Sequence, residues 1–325
     1  MKPVRAGVWG VGVWGEKHAR VYHALPEVEL VGVHDHHAGR AAAVAAQYGV
    51  RAFADAGALL AECEALSIAV PTVAHRAAVE QACAAGRHVL VEKPMAFAVE
   101  DADAMLAAAA RAGVTLQVGQ VERFNPALIA ARSQVRSPLF IECHRLAPFQ
   151  PRSLDIDVVF DLMIHDIDAV LDFVGSAPIS VSAVAVAVLS RNEDIANARL
   201  EFENGCVANL TASRVSQERL RRIRFFQSDS YLSVDLFEKS GDLLRIDPRR
   251  FRPEAPEEAI RRTKLAVEPG EPLALELQAF VRSLRGEGPG AASGDAGRAA
   301  LAVAAEVREA MKRRARQWAT PTAAS

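Results

Sequence analysis

Three short stretches hold residues whose types and spacing could do chemistry. VLVEKPMA ends a β-branched run with Glu92, Lys93 and Pro94, at the carboxyl edge where open α/β sheets bind their ligands. DLMIHDID, Asp161 to Asp168, lies in a window of helical period, and the i, i+4 relation stacks Asp161 on His165. A carboxylate beside an imidazole orients the ring and favours its protonated form, which is what a proton-transferring pair needs. Alone, each stretch also reads plainly: Lys93 as a solvated loop lysine, Asp161 with His165 as an ordinary helix-surface pair.

The third stretch is GVWGVGVWGEKHAR, Gly7 to Arg20. Read as Gly10-x-Gly12-x-x-Gly15, it follows a strand pattern and leads into a helix, the setting in which a GxGxxG run binds a dinucleotide. Gly10 permits the tight turn, Gly12 admits a pyrophosphate against the backbone, and Gly15 lets the helix pack closely on the strand. Val11 and Trp14 complete the cofactor-binding loop. Asp35 ends the next strand pattern, where a carboxylate accepts from the ribose hydroxyls. That favours NAD, and Arg40, near enough to meet a 2′-phosphate, keeps NADP as the lesser alternative. His34, His36 and His37 surround Asp35 with no partner at ligand spacing, so no metal site is expected. A nicotinamide cofactor changes the weight of the other two stretches. Lys93 then supplies hydroxyl polarisation, His165 a base and Asp161 its orienting carboxylate, which together are the protein's share of an alcohol oxidation by hydride transfer.

Elements must hold those residues in place, and the first third of the chain alternates β-branched runs with Ala-rich helical windows, the rhythm of parallel strands joined by crossover helices. Strands are expected at VRAGVWG, VELVGVHD, ALSIAV, HVLVEKP and VTLQVGQ, with helices between them, two closing on Gly86 and Gly113 as left-handed caps. Beyond about Val121 the pattern changes. It becomes a short helix, a strand through RSPLFIECHRL, a strongly periodic helix from Val158 to Val174, and a meander of strands with a hairpin turning at Asn204-Gly205. Pro248 to Pro272 reads as a loop before two terminal helices. The expected fold is α/β: a Rossmann NAD-binding domain over residues 1–120, then an α+β substrate-binding and oligomerisation domain with a large open, mainly antiparallel sheet over 121–325.

Half of the 325 residues are hydrophobic and 24% are charged, with a net charge of -2, which gives no reason to expect nucleic acid as a partner. No apolar run has the length of a membrane span or the form of a secretory leader, so a cytoplasmic protein without a membrane partner is expected. Cys63, Cys83, Cys143 and Cys206 form no CxxC pair and read as buried thiols.

In combination, GVGVWGEKHAR with His18, VPTVAH with His75, GRHVLVEKP, VGQVERFNP, DLMIHDIDAVL, FENGCVANLTASR and PLALELQAFV resemble the Gfo/Idh/MocA family of oxidoreductases nearly from end to end. The resemblance implies that Lys93, Asp161 and His165 are catalytic, with His165 the acid/base. It also implies cofactor contacts from Pro71, Thr72, His75, Glu92, Lys93 and Gln120, a cis Lys93-Pro94 bond, and homodimers or homotetramers that pair sheet faces. VGQVERFNPA with RLAPFQPRSLDIDVVFDLMIHDID further resembles the branch that oxidises the C3 hydroxyl of UDP-N-acetylglucosamine (UDP-GlcNAc) or a related UDP-sugar. In that branch the 3-keto product feeds a PLP-dependent aminotransferase in lipid A and lipopolysaccharide biosynthesis. A sugar diphosphate needs cations, so Arg123, Arg145, Arg152 and Arg214 join Lys93 and His165 as substrate-binding candidates; each also reads as a surface salt bridge. The run Arg219, Arg221, Arg222 and Arg224 divides between two strand faces and reads mainly as a solvated edge. Other readings stay open: a polyol or aldose dehydrogenase, an NADP-dependent reductase, a redox-assisted glycoside hydrolase, or a dinucleotide-binding sensor without turnover.

Overall fold

A computed structural model describes residues 2–150 and 156–319, and the chain divides into two units. Unit 1 comprises Met1–Phe124 and Gly270–Leu301; unit 2 comprises Asn125–Pro269 and Ala302–Ser325.

In unit 1 the β-branched runs become β1 (Val4–Trp9), β2 (Val28–His34), β3 (Arg51–Phe53), β4 (Ala65–Ile68), β5 (His88–Glu92) and β6 (Leu116–Gly119). The Ala-rich windows become α1 (Val13–Ala24), α2 (Ala38–Tyr48), α3 (Ala56–Glu62), α4 (His75–Ala84) and α5 (Val99–Ala112). Gly113 ends α5 at φ +64° and Gly86 follows α4 at φ +72°, the left-handed positions expected of them. β4 and β6 are buried along their whole length, as a parallel sheet covered on both faces requires. The strands lie in the order β6-β5-β4-β1-β2-β3, all neighbours parallel. The order reverses between β1 and β4, and such sheets bind ligands beyond the carboxyl ends of their strands at that reversal. The loops after β1, β4 and β5 carry the glycine run, Pro71 with Thr72, and Lys93. The sequence patterns did not separate β3 and α3, because three residues are too few to show alternation.

Unit 2 opens with α6 (Pro126–Arg132), capped by the Asn125 side chain, which accepts from the Ala127 amide at 3.1 Å. Then come β7 (Phe140–Leu146), α7 (Ile164–Val174), β8 (Pro178–Val186), β9 (Ile195–Phe202), β10 (Val207–Ser213), β11 (Leu220–Phe226), β12 (Ser230–Asp235), β13 (Ser240–Ile246) and β14 (Ile260–Lys264). Among the described residues these form an eight-stranded sheet ordered β14-β13-β12-β11-β7-β10-β9-β8. It is antiparallel throughout except for the parallel pair β7 and β10. Residues of β9 and β12 alternate between buried and accessible, the mark of a sheet with one covered face. The β9–β10 hairpin turns at Asn204 and Gly205, with Gly205 at φ +85°.

Three expectations need correction. The Pro248–Pro272 segment is not all loop, since it contains β14, whose five residues are all exposed; a basic edge strand shows no alternation. The helix expected from Val158 begins with a π turn, Val159–Met163, before α7. The second domain does not keep everything after residue 121, because α8 (Pro272–Ser283) and β15 (Ala292–Ser293) belong to unit 1. There Leu273, Leu277, Phe280 and Val281 of α8 share one buried cluster with Val8, Tyr22 and Val33, while β15 pairs antiparallel with β6. Local periodicity shows that α8 has an apolar stripe but cannot say which distant surface receives it. The last helix is α9 (Gly294–Ala319). All four cysteines are buried thiols. Among the described residues no helix is long and apolar enough to cross a membrane.

The turn between β8 and β9 hangs on Asp194, which is fully buried. Its carboxylate accepts from the amides of Val188 (2.8 Å), Leu189 (2.6 Å) and Ser190 (2.9 Å), from the Ser190 hydroxyl (2.7 Å) and from Arg214 Nε (2.9 Å). Burial opposes its charge, but the Ser190 hydroxyl, these amides and Arg214 outweigh burial and hold the carboxyl well below the usual range. Asp194→Ala removes the countercharge of a buried arginine and should cost about 3–5 kcal/mol in denaturant unfolding. A carboxyl depressed in the fold stabilises it above the unfolded pKa, about 4, and loses that contribution as the pH falls. Asp194→Asn should therefore flatten the acid arm of the stability profile, and an unchanged acid arm contradicts this role.

Candidate active site

β1 delivers the chain to Gly10, whose φ of +88° and N–H bond to His34 O (2.7 Å) turn it sharply toward α1. A Cβ on Gly15 would stand 1.8 Å from Gly10 O, so α1 crosses the strand end where no side chain fits, whereas a Cβ on Gly12 would meet nothing within 4 Å. The loop is thus tight where the helix packs and open where a phosphate would approach the helix N-terminus. Trp14 is accessible, with Lys17 Nζ 4.3 Å above its ring. Asp35, buried beyond β2, accepts from the N–H of Val11 (2.8 Å) and of His37 (2.9 Å), and Arg40 Nη1 lies 3.4 Å from it. Burial raises its pKa, but the two amides, with Arg40 and His36, prevail and hold the carboxyl below its ordinary value. The charge on Asp35 is therefore fastened to the glycine loop itself. Gln120 follows β6 and is buried, and among the described residues its Oε1 has no hydrogen-bond partner. An open Gly12, an ionised Asp35 and a buried amide at the same sheet edge fit a dinucleotide.

A chain of side chains runs behind this edge. Tyr22 Oη lies 2.8 Å from Ser67 Oγ, Ser67 Oγ 2.9 Å from His18 Nδ1, and His18 Nε2 2.8 Å from Glu92 Oε1. One set of donors satisfies all three contacts: Tyr22 donates to Ser67, Ser67 to His18, and His18 to the Glu92 carboxylate. Burial pushes the Tyr22 phenol above its ordinary pKa and so keeps it a donor. For Glu92 burial works against charge, but His18, Lys93 and the Lys93 amide, 3.2 Å from Oε2, hold the carboxyl below its ordinary value. Gly119 leaves room for it, since a Cβ there would come within 3.2 Å of Oε1. Spacing alone did not point to Ser67 or Tyr22, although a serine inside a wholly buried parallel strand was a readable signal. The Lys93-Pro94 bond is cis, as expected, and Lys93 is partly accessible. Pro71 is exposed and Thr72 partly so. His75 departs from expectation, since it is 1% exposed and both its ring nitrogens face backbone carbonyls.

In unit 2, Asp161 lies in the π turn and His165 is the second residue of α7, both partly accessible. The pair therefore spans the junction of a π turn and α7 rather than one regular helix, and such turns occur often at functional sites. Asp157 caps the turn by accepting from the amides of Val159 (3.0 Å) and Phe160 (3.1 Å), and Arg308 of α9 lies 4.6 Å over the Phe160 ring. Beside His165, Asp166 receives Arg145 in a buried two-pronged bond, Nε to Oδ2 at 2.9 Å and Nη2 to Oδ1 at 2.8 Å. The expected arginines therefore divide. Arg145 and Arg214 are buried in internal ion pairs with Asp166 and Asp194 and are corrected from substrate contacts to structural groups. Arg123 is partly accessible in a 3-10 turn after β6, and Arg152 lies outside the described residues. Arg222 and Arg224 pair with Asp235 and Glu142 on the open sheet face.

Models of the oxidoreductase family with an NAD-binding Rossmann fold and of the Gfo/Idh/MocA C-terminal domain match residues 4–120 and 131–232. A curated relative, UDP-N-acetylglucosamine 3-dehydrogenase of Acidithiobacillus ferrooxidans, is 42% identical over 310 residues, 95% of this chain and 97% of that one. The chain belongs to the Gfo/Idh/MocA family of oxidoreductases. The cofactor of this Gfo/Idh/MocA Rossmann domain is NAD. A solved structure of the A. ferrooxidans enzyme matches with a TM-score of 0.89 at 41% identity, covering 96% of this chain and 99% of that one. The scyllo-inositol 2-dehydrogenase (NAD(+)) of Bacillus subtilis is 28% identical over 233 residues, 66% of this chain and 68% of that one.

The open space at Gly12 makes a discriminating variant. Gly12→Ala should leave the thermal midpoint within about 2 °C of the parent while weakening NAD at least about tenfold, or 1.4 kcal/mol, in a fluorescence titration. Undiminished affinity would mean that the pyrophosphate does not approach this loop.

Proposed function

We propose that this protein oxidises the C3 hydroxyl of UDP-N-acetylglucosamine to a 3-keto sugar with NAD. The observation that carries the reading is identity of 42% with an enzyme of that activity across 95% of this chain. Gly10, Val11, Gly12, Trp14 and Gly15 would hold NAD at its pyrophosphate, Asp35 at the ribose, and Pro71, Thr72, Glu92, Lys93 and Gln120 toward the nicotinamide. When bound, NAD accepts the hydride that leaves the carbinol carbon. Lys93 donates a hydrogen bond to the reacting oxygen, stabilising negative charge as the O–H bond breaks. His165 accepts the hydroxyl proton, and Asp161 orients the imidazole and stabilises its charged form. With hydride and proton both removed from the carbinol, the proton to His165, the alcohol becomes a ketone. Arg123 and Arg152 are the candidate cations for the diphosphate. The runner-up is a free polyol as substrate, favoured by the identity of 28% with an inositol enzyme.

Around this reaction we place the chain in the cytoplasm as a homodimer or homotetramer. The open face of the unit 2 sheet suits such pairing, since Phe140, Phe226 and Tyr231 form an aromatic cluster there with ring centroids 5.3 Å and 4.9 Å apart. A 3-keto nucleotide sugar carries a ketone open to reductive amination, and we propose a PLP-dependent aminotransferase that converts it to an amine for surface-glycan synthesis as its consumer.

NADH absorbance with UDP-GlcNAc, UDP-GalNAc, inositols and aldoses tests the substrate, with an aminotransferase and glutamate added in parallel to trap the ketone. Turnover with the UDP-sugar alone is expected; turnover with free polyols alone removes the UDP assignment. Lys93→Met and His165→Asn should each lower kcat about 10²–10⁴-fold with NAD affinity nearly unchanged, and loss of NAD binding in both would contradict their roles.

A further inference from the structure

His75 is the first residue of α4, and its ring is enclosed. Nε2 lies 2.9 Å from Val70 O in the loop after β4, while Nδ1 lies 3.1 Å from Pro94 O and 3.2 Å from Met95 O in the loop after β5. All three partners are carbonyl oxygens, which only accept, so the ring acts as a donor, with one N–H in either neutral tautomer and two when protonated. A ring so occupied presents no free edge to a dinucleotide. What it joins are the two loops that flank the catalytic end of the sheet.

Lys93 stands between two fixed neighbours. On one side, Glu92 is held by His18. On the other, Pro94 follows the cis bond, its carbonyl faces His75, and the next residues, Met95 and Ala96, are buried. The backbone of the lysine is therefore defined from both ends, and the second anchor is an imidazole from a different loop.

We infer that His75 is a positioning residue, packed between the Lys93-Pro94-Met95 turn and the Val70 loop and donating its N–H to one of them, so that the Lys93 ammonium is held in place, and that it does not contact NAD. The inference rests on the proposed role of Lys93 for its kinetic consequence only; the clamp itself is read without activity. Such a residue acts through placement, and misplacing a reacting group by about 1 Å can cost about 10²-fold in rate.

Full-length His75→Ala and His75→Gln variants test it. Hydrogen–deuterium exchange on protein without cofactor should run at least about fivefold faster in His75→Ala at residues 69–74 and 93–98, with α5 unchanged. In turnover, kcat should fall at least about tenfold while the calorimetric Kd for NAD moves less than about threefold. His75→Gln, whose amide N–H can reach one of the carbonyls, should recover part of both losses, and it carries the same readings if the alanine variant fails to fold. Parallel losses of NAD affinity and kcat would mark a direct cofactor contact and overturn the inference, as would unchanged exchange in both loops or an undiminished kcat. If Lys93→Met proves fully active, the reading of Lys93 fails, and the exchange result still decides whether the clamp exists.

Discussion

The close crossing of α1 over the end of β1 is the constraint from which the rest of unit 1 follows. Gly15 approaches Gly10 O so nearly that any side chain there would push the helix away. Because the helix stays, its first turn faces the open Gly12 side. Its second and third turns bring His18 and Tyr22 onto Ser67 of β4 and Glu92 of β5. One backbone contact thus both shapes the dinucleotide cradle and fixes the carboxylate beside Lys93. A wider crossing would loosen both together, which is why the glycine run matters beyond its own loop.

Buried charge does the corresponding work in unit 2. The Arg145–Asp166 pair pins the start of α7 beside His165, and Asp194 with Arg214 closes the turn between β8 and β9. Removing one member of such a pair is far more damaging than the pair's net contribution, because the remaining charge is left in a low-dielectric interior. The π turn that holds Asp161 is likewise secured from outside itself, by the Asp157 cap and by Arg308 over Phe160.

Much of this was legible in the sequence, and for identifiable reasons. Parallel strands buried on both faces read as β-branched runs, so β1, β2, β4, β5 and β6 stood out, and the glycines that close helices marked Gly86 and Gly113. The strand-loop-helix setting of Gly10, Gly12 and Gly15 carried the dinucleotide reading, and Asp35 the preference for NAD. What escaped were relations between distant residues. Arg145 and Arg214 look like anion ligands until their carboxylates appear across the fold, and α8 shows an apolar stripe without naming unit 1 as its receiver. For His75 the family resemblance implies a contact with NAD, and its ring faces three backbone carbonyls, a relation that no local pattern displays. The π turn also had no sequence signature, since five residues of it carry the same apolar period as an α-helix.

In the proposed reaction, hydride leaves C3 of UDP-GlcNAc for NAD. The most direct measurement supplies UDP-GlcNAc deuterated at C3, traps the ketone, and reads the nicotinamide C4 position of the NADH by NMR. One deuterium per NADH formed is expected, accompanied by a slower turnover than with unlabelled sugar. NADH that carries only protium while the label stays on the sugar would place the oxidation at another carbon and contradict the proposed reaction.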